Sequence, residues 1–172
     1  MPLHTTSPRI LKQAHMLNTL HKILEASMEY EIVDYDGMTI VGISSRVDNS
    51  DAGFKKIELL WKEFFKRDIK RKLGLEVDSE ICEAYLDYES DANGPYTIVL
   101  GAMLHPYVPP MNEELVMHHI EKGRYAKFHT ANPNGIRDIW KHVWGRTDLN
   151  RRYACDFELI SSQGADVYVS VK

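Results

Sequence analysis

Cysteine is nearly missing from this chain. Only Cys82 and Cys155 occur, too few for a disulfide framework, so two reduced, buried thiols are expected. Apolar runs long enough to span a bilayer are missing too. The opening MPLHTTSPRILKQ lacks the apolar stretch of a secretory signal, which makes the cytoplasm the expected location and a membrane an unexpected partner. There is no surplus of positive charge: 25 acidic residues face 21 Lys and Arg, for a net charge of -4. Phosphate binding needs a basic face, so direct contact with nucleic acid is not expected, whereas a cationic ligand is not discouraged. The common catalytic signatures are missing as well. No HExxH or CxxC occurs, Gly53-Phe54-Lys55-Lys56 does not fit a phosphate loop, and no G-x-S-x-G elbow is present. Of the eight histidines, His118 and His119 are neighbours on a strand and point to opposite faces. His129 and His142 have no evident third ligand, so neither metal nor cofactor is expected.

What the sequence does contain is a repeat. Residues 1–28 form an appendage with a helix start at Ser7-Pro8 and a stripe of Ile10, Ala14, Leu17, Leu20 and Leu24. One such helix is too little for a helix-turn-helix DNA reader; it suits docking on the body, self-association or contact with a protein partner. From Glu29 onward the same pattern runs twice, with halves at about 29–105 and 111–172 inside one domain, 29–172. Each half reads strand–strand–helix–strand–strand. In the first, YEIVDY and MTIVGIS flank a turn at Asp36-Gly37, a helix spans about 51–66, and ICEAYLDY and YTIVLGAML follow. In the second, LVMHHI and RYAKFHT flank Lys122-Gly123, a helix spans about 134–144, and YACDFELI and DVYVSVK close the chain. The helices carry Ile57, Leu60, Trp61, Phe64, Phe65 and Ile136, Ile139, Trp140, Val143, Trp144, each spaced i, i+3, i+4, i+7, i+8 like a buried stripe. The strands after the helices, beginning at Cys82 and Cys155, align so that Tyr85 is the counterpart of Glu158. The fold class is therefore α+β: two pseudo-symmetric modules with antiparallel sheets and a ligand cleft between them.

Glu158 is the odd residue of its strand, flanked by Phe157, Leu159 and Ile160. Strands disfavour Glu, and a buried carboxylate is rare without a partner. Its strand alternates an apolar face of Cys155, Phe157 and Leu159 with a mixed face of Asp156, Glu158 and Ile160. The mixed face fits either a cleft lining or a half-wet surface. Tyr85 shares a face with Glu83 and Asp87 that is too acidic for core, so it belongs to a cleft or to the surface. The side of Tyr125 is open, and Trp61 and Trp140 fit either core or cleft wall.

MTIVGIS, WKEFF, AYLDYESDANGPYTIVLGA, GRYAKFHT, IWKHVW and DFELI occur in an order that resembles the GyrI-like small-molecule (effector) binding domain of AraC- and MerR-type multidrug regulators. The resemblance covers roughly 30–171. With no DNA-binding domain beside it, the chain looks like a stand-alone member, similar to integron-cassette proteins described as cationic drug-binding modules. The resemblance implies that Glu158 contacts cationic, lipophilic ligands and that aromatic residues line the cleft, with Trp61, Tyr85, Tyr125 and Trp140 as the carriers here. It also implies two alternatives. One is a hydrolase of strained cyclopropane-bearing compounds that uses Glu158 with Tyr85 or Tyr125. The other is a ligand-sensing subunit of a transcription regulator.

Overall fold

The computed structural model describes residues 12–13, 15–19, 28–104 and 114–172. Lys12, Gln13 and His15–Thr19 are helical, and Leu17 is 63% exposed. The Ser7-Pro8 helix start, Ile10, Ala14, Leu20 and Leu24 lie outside the described residues, as do the module boundaries at 105 and 111.

Among the described residues from Met28 onward there are eight strands and three helices: β1 (Tyr30–Tyr35), β2 (Met38–Val47), α1 (Asp51–Lys66), the short α2 (Ile69–Lys72), β3 (Ile81–Leu86), β4 (Tyr96–Leu104), β5 (Val116–Ile120), β6 (Gly123–Thr130), α3 (Ile136–Gly145), β7 (Cys155–Ser161) and β8 (Gly164–Val171). Ser50 caps α1 by accepting from the Gly53 N–H at 3.1 Å, and Asp51 sits in its first turn, both favourable at the positive end of a helix. A 3-10 turn, Pro133–Gly135, leads into α3. The strands join into one antiparallel sheet ordered β1-β6-β8-β7-β3-β4-β2-β5. Exchanging the halves, β1 for β5, β2 for β6, β3 for β7 and β4 for β8, returns the same order, so a pseudo-twofold passes through the central β3–β7 pair.

The opening strands of each half are exchanged. β1 pairs with β6, and β5 pairs with β2, so the turn at Asp36-Gly37 does not make a hairpin. β1 stands first in the sheet and β2 seventh, yet two residues join them. Tyr35 and Met38 are thus at most about 11 Å apart, and the sheet must curl until its edges converge there. Gly37, at φ +83°, lies under the β5–β6 turn, where a Cβ would come within 2.7 Å of the Ile120 carbonyl oxygen.

The curl gives the sheet a closed face and a helix-covered face. Inside the curl pack Ile40, Cys82, Tyr125, Phe157 and Tyr168, with Phe157 and Tyr168 stacked at 4.4 Å; Cys82 and Cys155 are free thiols buried there. On the other face, α1 covers Val41, Ile43, Ile98 and Leu100 with Leu60 and Phe64. α3 covers Phe128, Val167 and Val169 with Ile139 and Val143. The last members of the two helical stripes depart from the expected burial: Phe65 is 63% exposed and Trp144 45% exposed. An i+8 residue has rotated about 80° from the first position, which carries it past the edge of the contact. Among the described residues, no helix is long and apolar enough to cross a membrane.

Candidate functional site

β3 and β7 are neighbours at the centre of the sheet, between the patches covered by α1 and α3. Residues of both strands that point toward the helices therefore face the gap between them. A cavity of about 460 Å³ fills that gap. Its floor is Glu83, Tyr85, Glu158 and Ile160, its walls include Trp61 from α1 and Trp140 and Trp144 from α3, and Tyr88, Tyr96 and Arg151 close one end. Tyr85 packs against the core under each helix.

The register places Glu83 directly opposite Glu158 and Tyr85 opposite Asp156. Each glutamate has an indole donor from the helix of its own half. Trp61 Nε1 donates to Glu83 Oε2 at 3.2 Å, and Trp140 Nε1 donates to Glu158 Oε1. Tyr85 Oη adds a second donor to Glu158 Oε1 at 2.8 Å. By these indole–carboxylate pairs it is Glu83, and not Tyr85, that repeats Glu158; the alignment read from the cysteines is off by two residues.

Glu158 is 1% exposed and Glu83 5% exposed. Among the described residues, neither makes an ion pair with Lys, Arg or His. Burial pushes the Glu158 carboxyl up to about 7, against the pull of the Trp140 and Tyr85 donors. Burial, and next the charge of Glu158, push Glu83 well above the ordinary carboxyl range. Burial and the two carboxylates also push the Tyr85 hydroxyl up, so it remains a donor. The buried guanidinium at the cavity end is already answered: Arg151 Nη2 donates to Asp156 Oδ2 at 2.6 Å. Asp156 also accepts from Tyr88 Oη at 2.8 Å and from the Ser170 N–H at 2.7 Å. The rings meet edge to face, Tyr85 with Trp140 at 5.2 Å and with Tyr96 at 5.9 Å, the geometry their quadrupoles favour.

Of the five residues singled out in the sequence, Glu158, Trp61, Tyr85 and Trp140 come together at the cavity. Tyr125 does not. It points into the curl on the opposite face, fully buried against Tyr35 and Phe157, and its hydroxyl donates to the Glu121 carbonyl oxygen at 3.2 Å. Alternation with Lys127 and His129 leaves its side open in the sequence; in the sheet it packs with Phe157 and Tyr168 inside the curl. Glu83, Tyr88, Tyr96, Trp144 and Arg151 line the cavity without having been singled out. Aligning the halves on their tryptophans does not find Glu83, because it follows Trp61 by 22 residues whereas Glu158 follows Trp140 by 18. Among the described residues, no group of three His, Cys, Asp or Glu is placed to hold a metal ion.

A curled antiparallel sheet with two helices flanking a cavity on a pseudo-twofold is the architecture of a small-molecule effector-binding domain. The description of the integron-associated effector binding proteins matches residues 31–171, and the chain belongs to that family. Among curated proteins it is similar to YobU of Bacillus subtilis (strain 168), described as a candidate transcriptional regulator. The two are 27% identical over 158 residues, which is 82% of this chain and 96% of YobU. Among solved structures it shares the fold of the integron cassette protein VCH_CASS2 from the mobile metagenome of Vibrio cholerae, with a TM-score of 0.70, 24% identity, and coverage of 84% of this chain and 96% of that one. It also shares the fold of SAV2435, solved bound to tetraphenylphosphonium, with a TM-score of 0.62, 16% identity, and coverage of 84% and 94%.

Proposed function

We propose that this chain binds amphipathic organic cations, such as cationic drugs or dyes, in the cavity between α1 and α3. Glu158 is the anionic anchor, and Trp61, Tyr85 and Trp140 are the aromatic surround. The observation that carries this reading is a carboxyl at 1% exposure whose recorded donors, Trp140 and Tyr85, are both neutral. A buried anion without a counter-charge is costly, and a ligand cation would supply one. A contact ion pair at an effective dielectric near 20 gains roughly 4 kcal/mol before desolvation is subtracted, and each ring face adds about 0.5–2 kcal/mol for a cation. The tetraphenylphosphonium held by SAV2435, which has the same fold, is a lipophilic cation of this class. The test is titration with a fluorescent cationic dye and with a neutral analogue of similar shape. Glu158→Gln keeps the volume and removes the charge, so dye affinity should fall roughly tenfold or more, about 1.4 kcal/mol per decade, with a much smaller effect on the neutral analogue. Equal dye affinity for both proteins rules out the anchor.

A second reading rests on one distance. Tyr85 Oη lies 2.8 Å from Glu158 Oε1, a spacing that suits a proton donor beside a general base and hence hydrolysis of a strained cyclopropane. Incubation with a cyclopropane-bearing alkylating compound separates the two readings. Turnover that vanishes in Glu158→Gln establishes the hydrolase, and stable binding without turnover leaves the binder.

A further inference from the structure

The cavity floor carries two carboxyl groups, and anchoring a single cation uses one. Glu83 and Glu158 are register partners on adjacent strands, which brings side chains on one face to within contact distance, where like charges repel. Both are buried, and each is held by the indole of its own half. The groups facing them do not relieve that repulsion. Tyr85 from β3 donates its hydroxyl to Glu158, while the hydroxyls of Tyr96 from β4 and Tyr88 beyond β3 donate to Asn49 and Asp156. Arg151 is spent on Asp156, and Arg137 of α3 stands exposed at the mouth. Two carboxyls in such a place share a proton. Glu158 accepts from two donors, Trp140 and Tyr85, and Glu83 from Trp61 alone, so the better-stabilised carboxylate is Glu158 and the proton stays on Glu83, whose carboxyl burial and the neighbouring charge push up.

We propose that Glu83 is a reserve anion: it keeps its proton while the cavity is empty or holds a monocation, and releases it when a ligand brings a second positive charge. The proton leaves the Glu83 carboxylic acid for solvent, and the carboxylate left behind faces the second cationic centre. Ligand charge, rather than ligand shape alone, would then decide how many anions the site presents. This inference rests on cation binding at Glu158.

A matched pair of permanently charged ligands tests it: an N-alkyl-4-phenylpyridinium and the N,N'-dialkyl-4,4'-bipyridinium, nearly the same in shape and different by one charge. Calorimetry at pH 7 in two buffers of different ionisation enthalpy counts protons released on binding. The dication should release more than the monocation, by up to about one proton for one added carboxylate. In Glu83→Gln that difference should vanish, and affinity should drop roughly tenfold further for the dication than for the monocation. Equal proton release by both ligands from the unaltered protein overturns the reserve role, and so does dication binding that fails while the monocation binds; both need no variant to fold. If the monocation itself does not bind, or binds Glu158→Gln as well as the unaltered protein, the cation-binding reading has failed instead.

Discussion

Glu158 ties the site to stability through its proton. Its carboxyl titrates near 7 in the folded chain against an ordinary 4.5, so between those values the folded state holds a proton the unfolded state has lost. Its contribution is therefore full below about pH 4.5 and is lost as pH rises through about 7, to a total of about 3 kcal/mol. Glu83, shifted the same way, steepens the loss. Urea midpoints of the unaltered chain should fall between pH 5 and 8, and Glu158→Gln should flatten that slope; parallel slopes for both proteins mean that the carboxyl is not desolvated in solution. Because a cation selects the ionised form, dye affinity should rise with pH through the same window. Trp140→Phe keeps an aromatic wall but removes the N–H that favours the carboxylate. It should push the Glu158 carboxyl higher and weaken dye binding at pH 7 by a few-fold, less so at pH 9, as a pH series of titrations would read. Glu158 was legible in the sequence because a lone Glu among Phe157, Leu159 and Ile160 breaks the pattern of a core strand. Glu83 was not, because Asp87 on the same face makes the segment look solvated, and nothing local says that β7 will cover it.

At the scale of elements, periodicity identified α1 and α3 and the eight strands, because both helices bury one stripe and the sheet buries much of both faces. It could not reveal how far each stripe stays covered, hence the exposed Phe65 and Trp144. Nor could it reveal the exchange of β1 and β5: Asp36-Gly37 is a hairpin signal locally, and only the register with β6 and β2 overrides it. The β2–β4 pair depends on a close approach that a sequence reading passes over. Gly42 and Gly101 are register partners, and a Cβ on Gly101 would lie 1.9 Å from the Val41 carbonyl oxygen and 2.6 Å from the Gly42 Cα. These neighbours are backbone and cannot swing away. Gly101→Ala should cost about 1–3 kcal/mol as overpacking, read as a lower urea midpoint; an unchanged midpoint would mean that the strands separate freely at this crossing.

At the scale of the whole molecule, each half contributes a flanking helix and a glutamate held by an indole of that helix, and the cavity lies where the halves meet. The exchange of opening strands makes that dependence mutual, since β1 bonds to β6 of the other half and β5 to β2. A fragment of residues 29–110 would leave β1 without its partner and bare the β3 edge; one of residues 111–172 would do the same to β5 and β7. Neither should fold alone, whereas the mixture should recover sheet circular dichroism and dye binding. Residues 1–28 stand differently, and we expect them to be an appendage to a binding domain of residues 29–172. Among the described residues, those that line the cavity run from Asn49 to Ile160, and the first strand is Tyr30–Tyr35. In the N-terminal helix, Met16 and Leu17 are 58% and 63% exposed, apolar surface that suits association with another protein more than support of the core. A chain beginning at Met28 should keep its dye affinity within about twofold, less than 0.5 kcal/mol, and should differ from the full chain mainly in its state of association by sedimentation. Loss of the cooperative unfolding transition on truncation would instead place the helix in the core and move the domain boundary to the start of the helix.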